Sequence, residues 1–420
     1  MTRPIFFYVV FWGDRYRRYV GDILLRSLLA PGNFPRLALA DGHKLLACCP
    51  DDDWTALRSH PAVASASRFV EFVHVPIAPP PASVHPVEYM AAGHSRAAAV
   101  CQAARAYGSL LHPDMLFADG FIDGLQRHIA DGVQALLVPA LRLAETPLLG
   151  RLGVNTELAR GEPLVLSPRQ VTAAAMESLH DEITECEMDG PRFSTLPNCV
   201  WWRNGRRGLL VHSFSWSPLL IDHAAIGNHV LEGLRGPIPD GDYVARNFPK
   251  DARIVFVADS DDVAFASWTP AAVGARGRRR SILQNLPVVG RLLRHAILRR
   301  AFLHYTRDFY PYGDHVKAKG FKVPLKLHGD DLDESWDALE NAAAEEIERA
   351  VGDLFDPPIA PVTARTHLLD AMLPLVAGYA VLQQVRFAVR FIARRAIAAV
   401  RGDQAAQAWI YSRVRARLGI

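Results

Sequence analysis

The sequence predicts an α/β fold, in which a mainly parallel sheet is flanked by helices and followed by an α-helical C-terminal extension. Over the first 140 residues, short apolar runs alternate with amphipathic or alanine-rich stretches, a pattern typical of β-α-β units. Hydrophobic residues make up 50% and charged residues 22% of the 420 residues, which suits a large core and excludes a disordered chain. We expect an α/β domain over 1–270 and a basic, mostly helical extension over 271–420.

The first half of the chain supplies most of the predicted strands. The run at 5–11 is apolar throughout, and Trp12 and the Gly-Asp pair after it lead into a helix that ends near residue 31. Further strands are predicted where short apolar runs are bounded by turn residues, at 44–49, 69–77, 108–112 and 133–138. Helical spacing lies between them, at 88–107 and 121–130.

The predicted elements become shorter after residue 150. Ser167 and Pro168 open a helix that reaches about residue 180, because serine caps a helix and proline suits its first position. Two strands around an Asn-Gly turn, at 199–203 and 209–214, predict a hairpin. The last predicted core strand is at 253–258, and helices are predicted at 271–310, 332–355 and 366–415.

The net charge of +3 conceals two strongly basic segments. Residues 271–300 hold eight arginines and no acidic residue, and residues 361–420 hold nine arginines against two aspartates. Arginine and aliphatic positions separate onto two faces of the C-terminal helix, which favours an anionic membrane surface. We therefore predict membrane contact through 281–310 and 366–415; the alternative is packing on the protein body or on another subunit. Nucleic acid is not an expected partner, because neither segment interleaves stacking aromatic residues with base-reading groups.

Cysteine usage and segment lengths indicate the compartment. The five cysteines show no CxxC spacing, so buried free thiols are expected rather than a zinc site. The N-terminal apolar run is eight residues long and no cleavage site follows it, which predicts a strand rather than a signal peptide. No segment reaches the roughly 18 to 20 apolar residues that cross a bilayer. We expect a cytoplasmic protein, peripheral on the inner face of the plasma membrane if the basic helices bind lipid.

Carboxylates that follow the predicted strands are candidate functional groups. Asp114 and Asp119 come after the strand at 108–112, and the carboxyl ends of strands face the crevice in which open α/β sheets bind ligands. They predict oxygen ligands for Mg²⁺ or Mn²⁺ carrying a nucleotide diphosphate, or contacts to its ribose. The alternative for Asp119 is a turn with Gly120 that caps the next helix.

A second acidic group, Asp259, Asp261 and Asp262, follows the last predicted core strand. Three carboxylates this close repel one another unless they are hydrated, hydrogen-bonded or bound to a cation. We predict metal binding or contact with a charged acceptor, against a plain acidic turn. Upstream, Asp240 and Asp242 flank a glycine and form either a tight turn or a loop directed into the site.

The two acidic groups are predicted to converge on one pocket at one rim of the sheet. Three further side chains are candidates beside them. His212, in an alternating strand-like segment, is a metal ligand or phosphate contact, or else a half-buried structural histidine. Trp12 stacks on a nucleobase or belongs to the core. Arg142 clamps a diphosphate or pairs with Glu145.

Several known enzyme signatures are absent from the sequence. It holds no glycine-rich dinucleotide fingerprint, P-loop, HExxH or GxSxG motif, so the enzyme classes that carry these motifs are disfavoured.

Four parts of the sequence carry a family resemblance: FFYVVFWGDRYRRYVGDILLRSLLAPGNFPRL, RAYGSLLHPDMLFADGFIDGL, PALRLAETP, and GPIPDGDYV followed by RIVFVADSDD. Together, over about residues 5–270, they resemble a poorly characterised group of bacterial proteins similar to GT-A glycosyltransferases. The resemblance implies a GT-A-like, Rossmann-like nucleotide-diphospho-sugar transferase fold with metal-binding carboxylates near Asp114. The sequence departs from the usual aspartate-any-aspartate triplet, since Met115 and Leu116 follow Asp114.

The resemblance implies transfer of a sugar from a nucleotide diphosphate donor to a glycan or lipid-linked acceptor of the cell envelope. In that scheme a divalent cation and Arg142 stabilise the departing diphosphate. Asp259 or Asp261 serves as general base if the reaction inverts configuration. Two alternatives stay open. One is a metal-dependent phosphohydrolase with Asp259 as nucleophile and Asp261 as acid; the other is a non-catalytic, transferase-like subunit of a membrane-associated assembly.

Overall fold

The computed structural model describes most of the chain, namely residues 3–79, 86–139, 141–154, 161–226, 241–270, 287–308, 320–355 and 358–400. Asp240 lies outside these residues, and so does the side chain of Asp242. Parts of both basic segments, 281–310 and 366–415, also lie outside them.

Thirteen strands are present in the described residues. They are β1 Ile5–Val10, β2 Lys44–Cys49, β3 Glu71–Pro76, β4 Tyr107–Leu111, β5 Met115–Phe117, β6 Ala135–Pro139, β7 Leu143–Ala144, β8 Cys199–Asn204, β9 Gly208–Ser213, β10 Trp216–Asp222, β11 Ile254–Phe256, β12 Phe265–Thr269 and β13 Leu325–His328.

The α-helices follow the same chain order. They are α1 Gly13–Tyr19, α2 Leu25–Leu28, α3 Asp51–Arg58, α4 Pro61–Ala66, α5 Pro86–Ala103, α6 Phe121–Ala130, α7 Glu145–Arg151, α8 Pro168–Met176, α9 Asp181–Thr184, α10 Gly241–Asn247, α11 Pro287–Phe302, α12 Glu334–Val351 and α13 Ala364–Val400. A π-helical turn, Val20–Leu24, joins α1 to α2.

A central seven-stranded sheet confirms the predicted architecture. Its order is β11-β6-β10-β4-β1-β2-β3. The pairs β1–β2, β1–β4, β2–β3 and β6–β11 are parallel, and only β10 runs antiparallel to both of its neighbours in this sheet. Every residue of β1 is buried, as expected for a strand covered by helices on both faces. The sheet is therefore mainly parallel.

The chain reverses its direction across the sheet between β1 and β4. From β1 it moves through β2 to β3 on one side, and β4 then pairs with the other side of β1. The loops that leave the carboxyl ends of β1 and β4 consequently diverge, and ligands of open α/β sheets bind in the crevice formed there. We call this edge of the sheet the β1–β4 rim.

Two three-stranded sheets flank the central one. The first has the order β5-β12-β7, and its strand β5 follows β4 in the chain. The second has the order β13-β9-β8, in which β8 and β9 form the predicted hairpin. Its third strand, β13, comes from the extension and pairs antiparallel with β9. The extension thus contributes a strand as well as helices.

The helices of the extension pack together around a second hydrophobic cluster. Side chains such as Ile297 of α11, Ile347 of α12 and Val376 of α13 are buried there. Arg299 is buried among them and pairs with Asp353 at 2.7 Å and with Asp370 at 2.6 Å. In the described part of the chain, no helix combines the length and apolarity needed to span a bilayer.

Candidate functional site

Aromatic side chains line the β1–β4 rim. Trp12 follows β1 directly and stays partly exposed. Its indole ring lies edge-on to Tyr89 of α5, with 4.8 Å between the ring centroids, and 6.0 Å from the ring of Tyr16 in α1. The residue predicted to contact a nucleobase therefore lies on an aromatic wall next to the switch in strand order.

His112 and Asp114 follow β4 at the same rim, and both are half-buried. The backbone N–H of Trp268 donates to the carbonyl oxygen of Asp114 at 3.1 Å, which ties this turn to β12. None of the described side chains hydrogen-bonds to the Asp114 carboxylate. His112 was not among the residues predicted from the sequence, although its position at a strand end, two residues before Asp114, was a usable signal.

The two side chains influence each other's ionisation. Burial raises the pKa of Asp114, and the nearby His112 and Arg142 counteract that rise. Burial also lowers the pKa of His112, against the Asp114 carboxylate, which raises it. A cation bound between the His112 imidazole and the Asp114 carboxylate would therefore offset the free-energy cost of burying that carboxylate.

Arg142 is exposed beside this pair, immediately before β7. The expected alternative partner, Glu145, instead pairs with Arg15 at 2.5 Å and accepts a hydrogen bond from the Tyr19 hydroxyl. Arg15 also donates to Tyr19 at 2.7 Å. Within the described residues Arg142 therefore has no ion-pair partner, and its guanidinium is available to an anion.

A second histidine that the sequence analysis missed lies behind the pair. His94 of α5 is 1% exposed, and its ring centroid is 5.8 Å from that of His112. Neither ring nitrogen has a hydrogen-bond partner among the described residues. Burial and the neighbouring His112 both lower the pKa of His94, so its ring is neutral at physiological pH.

Asp119 lies at the other end of β5 from Asp114. Its carboxylate accepts a hydrogen bond from the backbone N–H of Gly32 at 2.5 Å, and its own N–H donates to Leu166. Gly120, at a φ of +93°, is the residue before α6, and Asn33 caps that helix through its Oδ1, which accepts from the N–H of Ile122 at 3.3 Å. Asp119 therefore fixes the loop after α2 and does not cap α6.

The second acidic group does not share a pocket with Asp114, which corrects the expected convergence. β12 runs antiparallel to β5 from this acidic loop toward Asp114. Asp262 precedes Trp268 by six positions, which corresponds to at most about 20 Å of extended chain. Asp262 instead pairs with His128 of α6 at 2.7 Å. Asp114 and the second acidic group do not form one site, because they lie at opposite ends of β12.

Asp259 and Asp261 have a histidine partner, but it is not His212. The Nε2 atom of His328, at the end of β13, lies 2.7 Å from Asp259 Oδ1. His212 is 3% exposed and its ring packs against Trp202, 5.6 Å between centroids. Burial lowers the pKa of His212 to about 4. The structure thus places His212 in a hydrophobic cluster and brings His328, 69 residues after Asp259, to the carboxylates.

A separate cavity of about 50 Å³ lies between the ends of β6, β7 and β12. Its lining is aliphatic or aromatic apart from the hydroxyl groups of Thr172, Ser260 and Ser267. An apolar lining of this kind does not suit a charged ligand. The polar groups of the β1–β4 rim remain the better candidate site.

No protein-family model and no curated protein matches the sequence. Among solved structures, the chain is similar to S. aureus TarS, with 12% identity, a TM-score of 0.36 and coverage of 91% of this chain and 53% of that one. It is also similar to the mannosyltransferase PcManGT from Pyrobaculum calidifontis in complex with GDP-Man and Mn²⁺, with 11% identity, a TM-score of 0.33 and coverage of 91% and 85%. The chain spans about half the length of the TarS structure. At these TM-scores the likenesses do not decide the function, which we argue from the site.

Proposed function

We propose that this protein is a glycosyltransferase that binds a nucleotide-diphosphate sugar at the β1–β4 rim. The observation that carries the proposal is the placement of His112 and Asp114 at the point where the strand order reverses. An aromatic wall flanks this point, and so does the guanidinium of Arg142, for which the described residues supply no ion-pair partner. A nucleotide-diphosphate sugar has a base to stack, a diphosphate to neutralise and a sugar to orient, and the three kinds of group present suit these three parts.

The proposed roles follow from the position of each side chain. Trp12 stacks on the base, since its ring is partly exposed at the end of β1. Arg142 contacts the diphosphate, because it is exposed and none of the described carboxylates pairs with it. Its positive charge favours departure of the nucleotide diphosphate as a leaving group. His94 supports His112 from behind and does not reach solvent.

The donor set at the rim fits a divalent cation. His112 offers an imidazole nitrogen and Asp114 a carboxylate without a described side-chain partner, and burial raises the pKa of that carboxyl. Glu145 is engaged with Arg15 and Tyr19, so it is not counted among the ligands. A bound cation would supply charge neutralisation at the diphosphate oxygens. An imidazole in the set favours Mn²⁺ over Mg²⁺, which prefers oxygen ligands.

The proposal also concerns the general base and the acceptor. We do not assign the base to Asp259 or Asp261, because β12 separates them from Asp114. The acceptor we propose is a glycan or lipid-linked molecule of the cell envelope. Membrane contact through the C-terminal basic helix is part of this proposal, supported by the exposed Leu375 and Val381 of α13.

Calorimetry with UDP-, GDP-, CMP- and dTDP-sugars, with and without Mn²⁺, tests the proposal. We expect one of these donors to bind, and we expect Asp114→Asn to weaken its binding at least tenfold in the presence of Mn²⁺. Asp123→Asn is the matched control, since Asp123 pairs with Arg36 at the surface. If no donor binds, the proposal fails. If a generic phosphomonoester is hydrolysed instead, the protein is a phosphohydrolase.

A further inference from the structure

We propose that Asp259, Asp261 and His328 form a second binding site, for a divalent transition-metal ion, that joins the loop after β11 to strand β13. One ligand atom from each of the three side chains lies within 4.8 Å of the others. Over the described ranges of the chain, no other group of three histidine, cysteine or acidic side chains meets this spacing. The inference does not depend on the proposed glycosyltransferase activity.

Backbone hydrogen bonds hold the two segments of this site in register. Lys326 of β13 donates its N–H to the carbonyl of Ala258 at 2.9 Å and accepts from the N–H of Ser260 at 3.0 Å. The N–H of His328 donates to the Ser260 hydroxyl at 3.2 Å. The ligand side chains therefore project from a braced pair of segments and not from a free loop, so the site is preorganised.

The hydrogen bonds of His328 determine which nitrogen faces the carboxylates. Its Nδ1 lies 2.6 Å from the carbonyl oxygen of Asp330, and a carbonyl only accepts, so Nδ1 carries the proton. Histidines that bind metals commonly donate their other N–H to a backbone carbonyl in this way. Nε2 then faces Asp259 Oδ1, 2.7 Å away, and donates to it when the ring is charged. A bound cation would take the place of that proton between the nitrogen and the carboxylate.

Neighbouring charges leave the site open to a cation. Arg169 lies 3.5 Å from Asp261 but only 2.6 Å from the exposed Asp331, its closer partner. The side chains of Asp259 and Asp261 remain 37% and 41% exposed, so water can complete the coordination on the outer side. His328 itself is 2% exposed. The site thus combines one buried nitrogen ligand with two accessible carboxylates.

The donor atoms define the class of metal. One imidazole nitrogen and two carboxylate oxygens suit Zn²⁺, Mn²⁺ or Co²⁺, whereas Mg²⁺ and Ca²⁺ prefer oxygen alone. An ion here would bridge residues 69 positions apart in the chain and fasten β13 to the central sheet. We therefore assign it a structural role, with a thermal stability that depends on the metal.

Zinc binding to the full chain, after dialysis against a chelator and without nucleotide, tests the inference. We expect one Zn²⁺ per chain and a rise in the midpoint of thermal unfolding, both retained in Asp114→Asn. Asp259→Asn and His328→Gln should weaken zinc binding at least tenfold and abolish the rise. Retention in Asp114→Asn separates this site from the donor site, at which the same variant is expected to weaken binding of the nucleotide sugar in the presence of Mn²⁺.

If the His328 variant does not fold, crystals of the unmodified chain soaked with Zn²⁺ provide the test instead. Diffraction at the zinc absorption edge should place an anomalous peak between His328 and the two carboxylates. A peak only at Asp114, the absence of zinc binding, or unchanged binding in both variants would overturn the inference. Any of these results would mean that a proton on His328, paired with Asp259, accounts for the geometry.

Discussion

Replacement of Glu346 by glutamine should destabilise the C-terminal helices at neutral pH but much less in acid. Glu346 of α12 is 3% exposed, and its two carboxylate oxygens accept hydrogen bonds from Arg291 of α11 at 2.8 and 3.0 Å. The buried His295 donates from Nε2 to the same carboxylate at 2.7 Å. Arg365 donates to the other nitrogen, Nδ1, at 2.6 Å, so the proton that Glu346 accepts is on Nε2. Glutamine keeps the size of the side chain and removes its charge.

The pKa of Glu346 gives the expected magnitude. Burial raises this pKa, but the hydrogen bonds from His295 and Arg291 outweigh burial and lower the pKa from 4.5 to about 2. A depression of this size corresponds to about 3 kcal/mol at neutral pH. Because the folded-state pKa is the lower one, this stabilisation is complete above pH 4.5 and is lost as the pH falls toward 2. At pH 3 about half of it should remain.

Urea unfolding followed by circular dichroism at pH 7 and pH 3 measures this effect. The free energy of unfolding of Glu346→Gln should be lower than that of the unmodified protein by about 3 kcal/mol at pH 7, and the difference should halve at pH 3. Glu345→Gln is the control, because Glu345 is 65% exposed in its pair with Arg349 and should contribute under 1 kcal/mol. A difference that stays constant between the two pH values would refute the reasoning.

Three further predictions concern packing, capping and the proposed site. Gly32→Ala should destabilise the protein by about 1–3 kcal/mol in thermal unfolding, because the new Cβ would lie 2.6 Å from the backbone nitrogen of Gly120. Gly150→Ala is the control: Gly150 lies in helix α7 with open space around it, so this change should be neutral or stabilising. Ser167→Ala should lower the free energy of unfolding by about 1 kcal/mol through loss of the capping box that begins α8, and an unchanged urea midpoint would contradict this. Trp12→Ala should weaken binding of the nucleotide donor about tenfold while Trp12→Phe retains most of it, as measured by calorimetry, and equal loss in both would contradict a stacking role.

The elements that the sequence predicted well are those defined by local signals. The bounds of β2 and α6 match the predicted ranges 44–49 and 121–130. The helix after Ser167 begins with the capping box, and the Asn-Gly turn joins β8 to β9 as predicted. Caps, turns and hydrophobic periodicity depend on neighbouring residues only, so they can be interpreted without knowledge of the rest of the fold.

The arrangement of the candidate site depended on contacts that local patterns do not encode. Two acidic groups that follow predicted strands were expected to share one edge, but they lie at opposite ends of β12, which separates Asp114 from Asp259. The histidine beside Asp259 comes from β13, a strand that lies between the predicted helices at 271–310 and 332–355, where no element was predicted. His112 is different, since it precedes Asp114 by two residues and could have been singled out. Pairing between distant segments sets the other positions.

The antiparallel strand β10 has a consequence for synthesis of the protein on the ribosome. β4 and β6 are complete once residue 139 has been made, yet they are not hydrogen-bonded to each other, because β10 lies between them and ends at Asp222. Until that strand emerges, the facing edges of β4 and β6 stay unpaired in the nascent chain, and such edges are templates for intermolecular association. A stalled chain truncated before Trp216 should therefore require a chaperone. A chain long enough for Asp222 to have left the exit tunnel should no longer bind the chaperone.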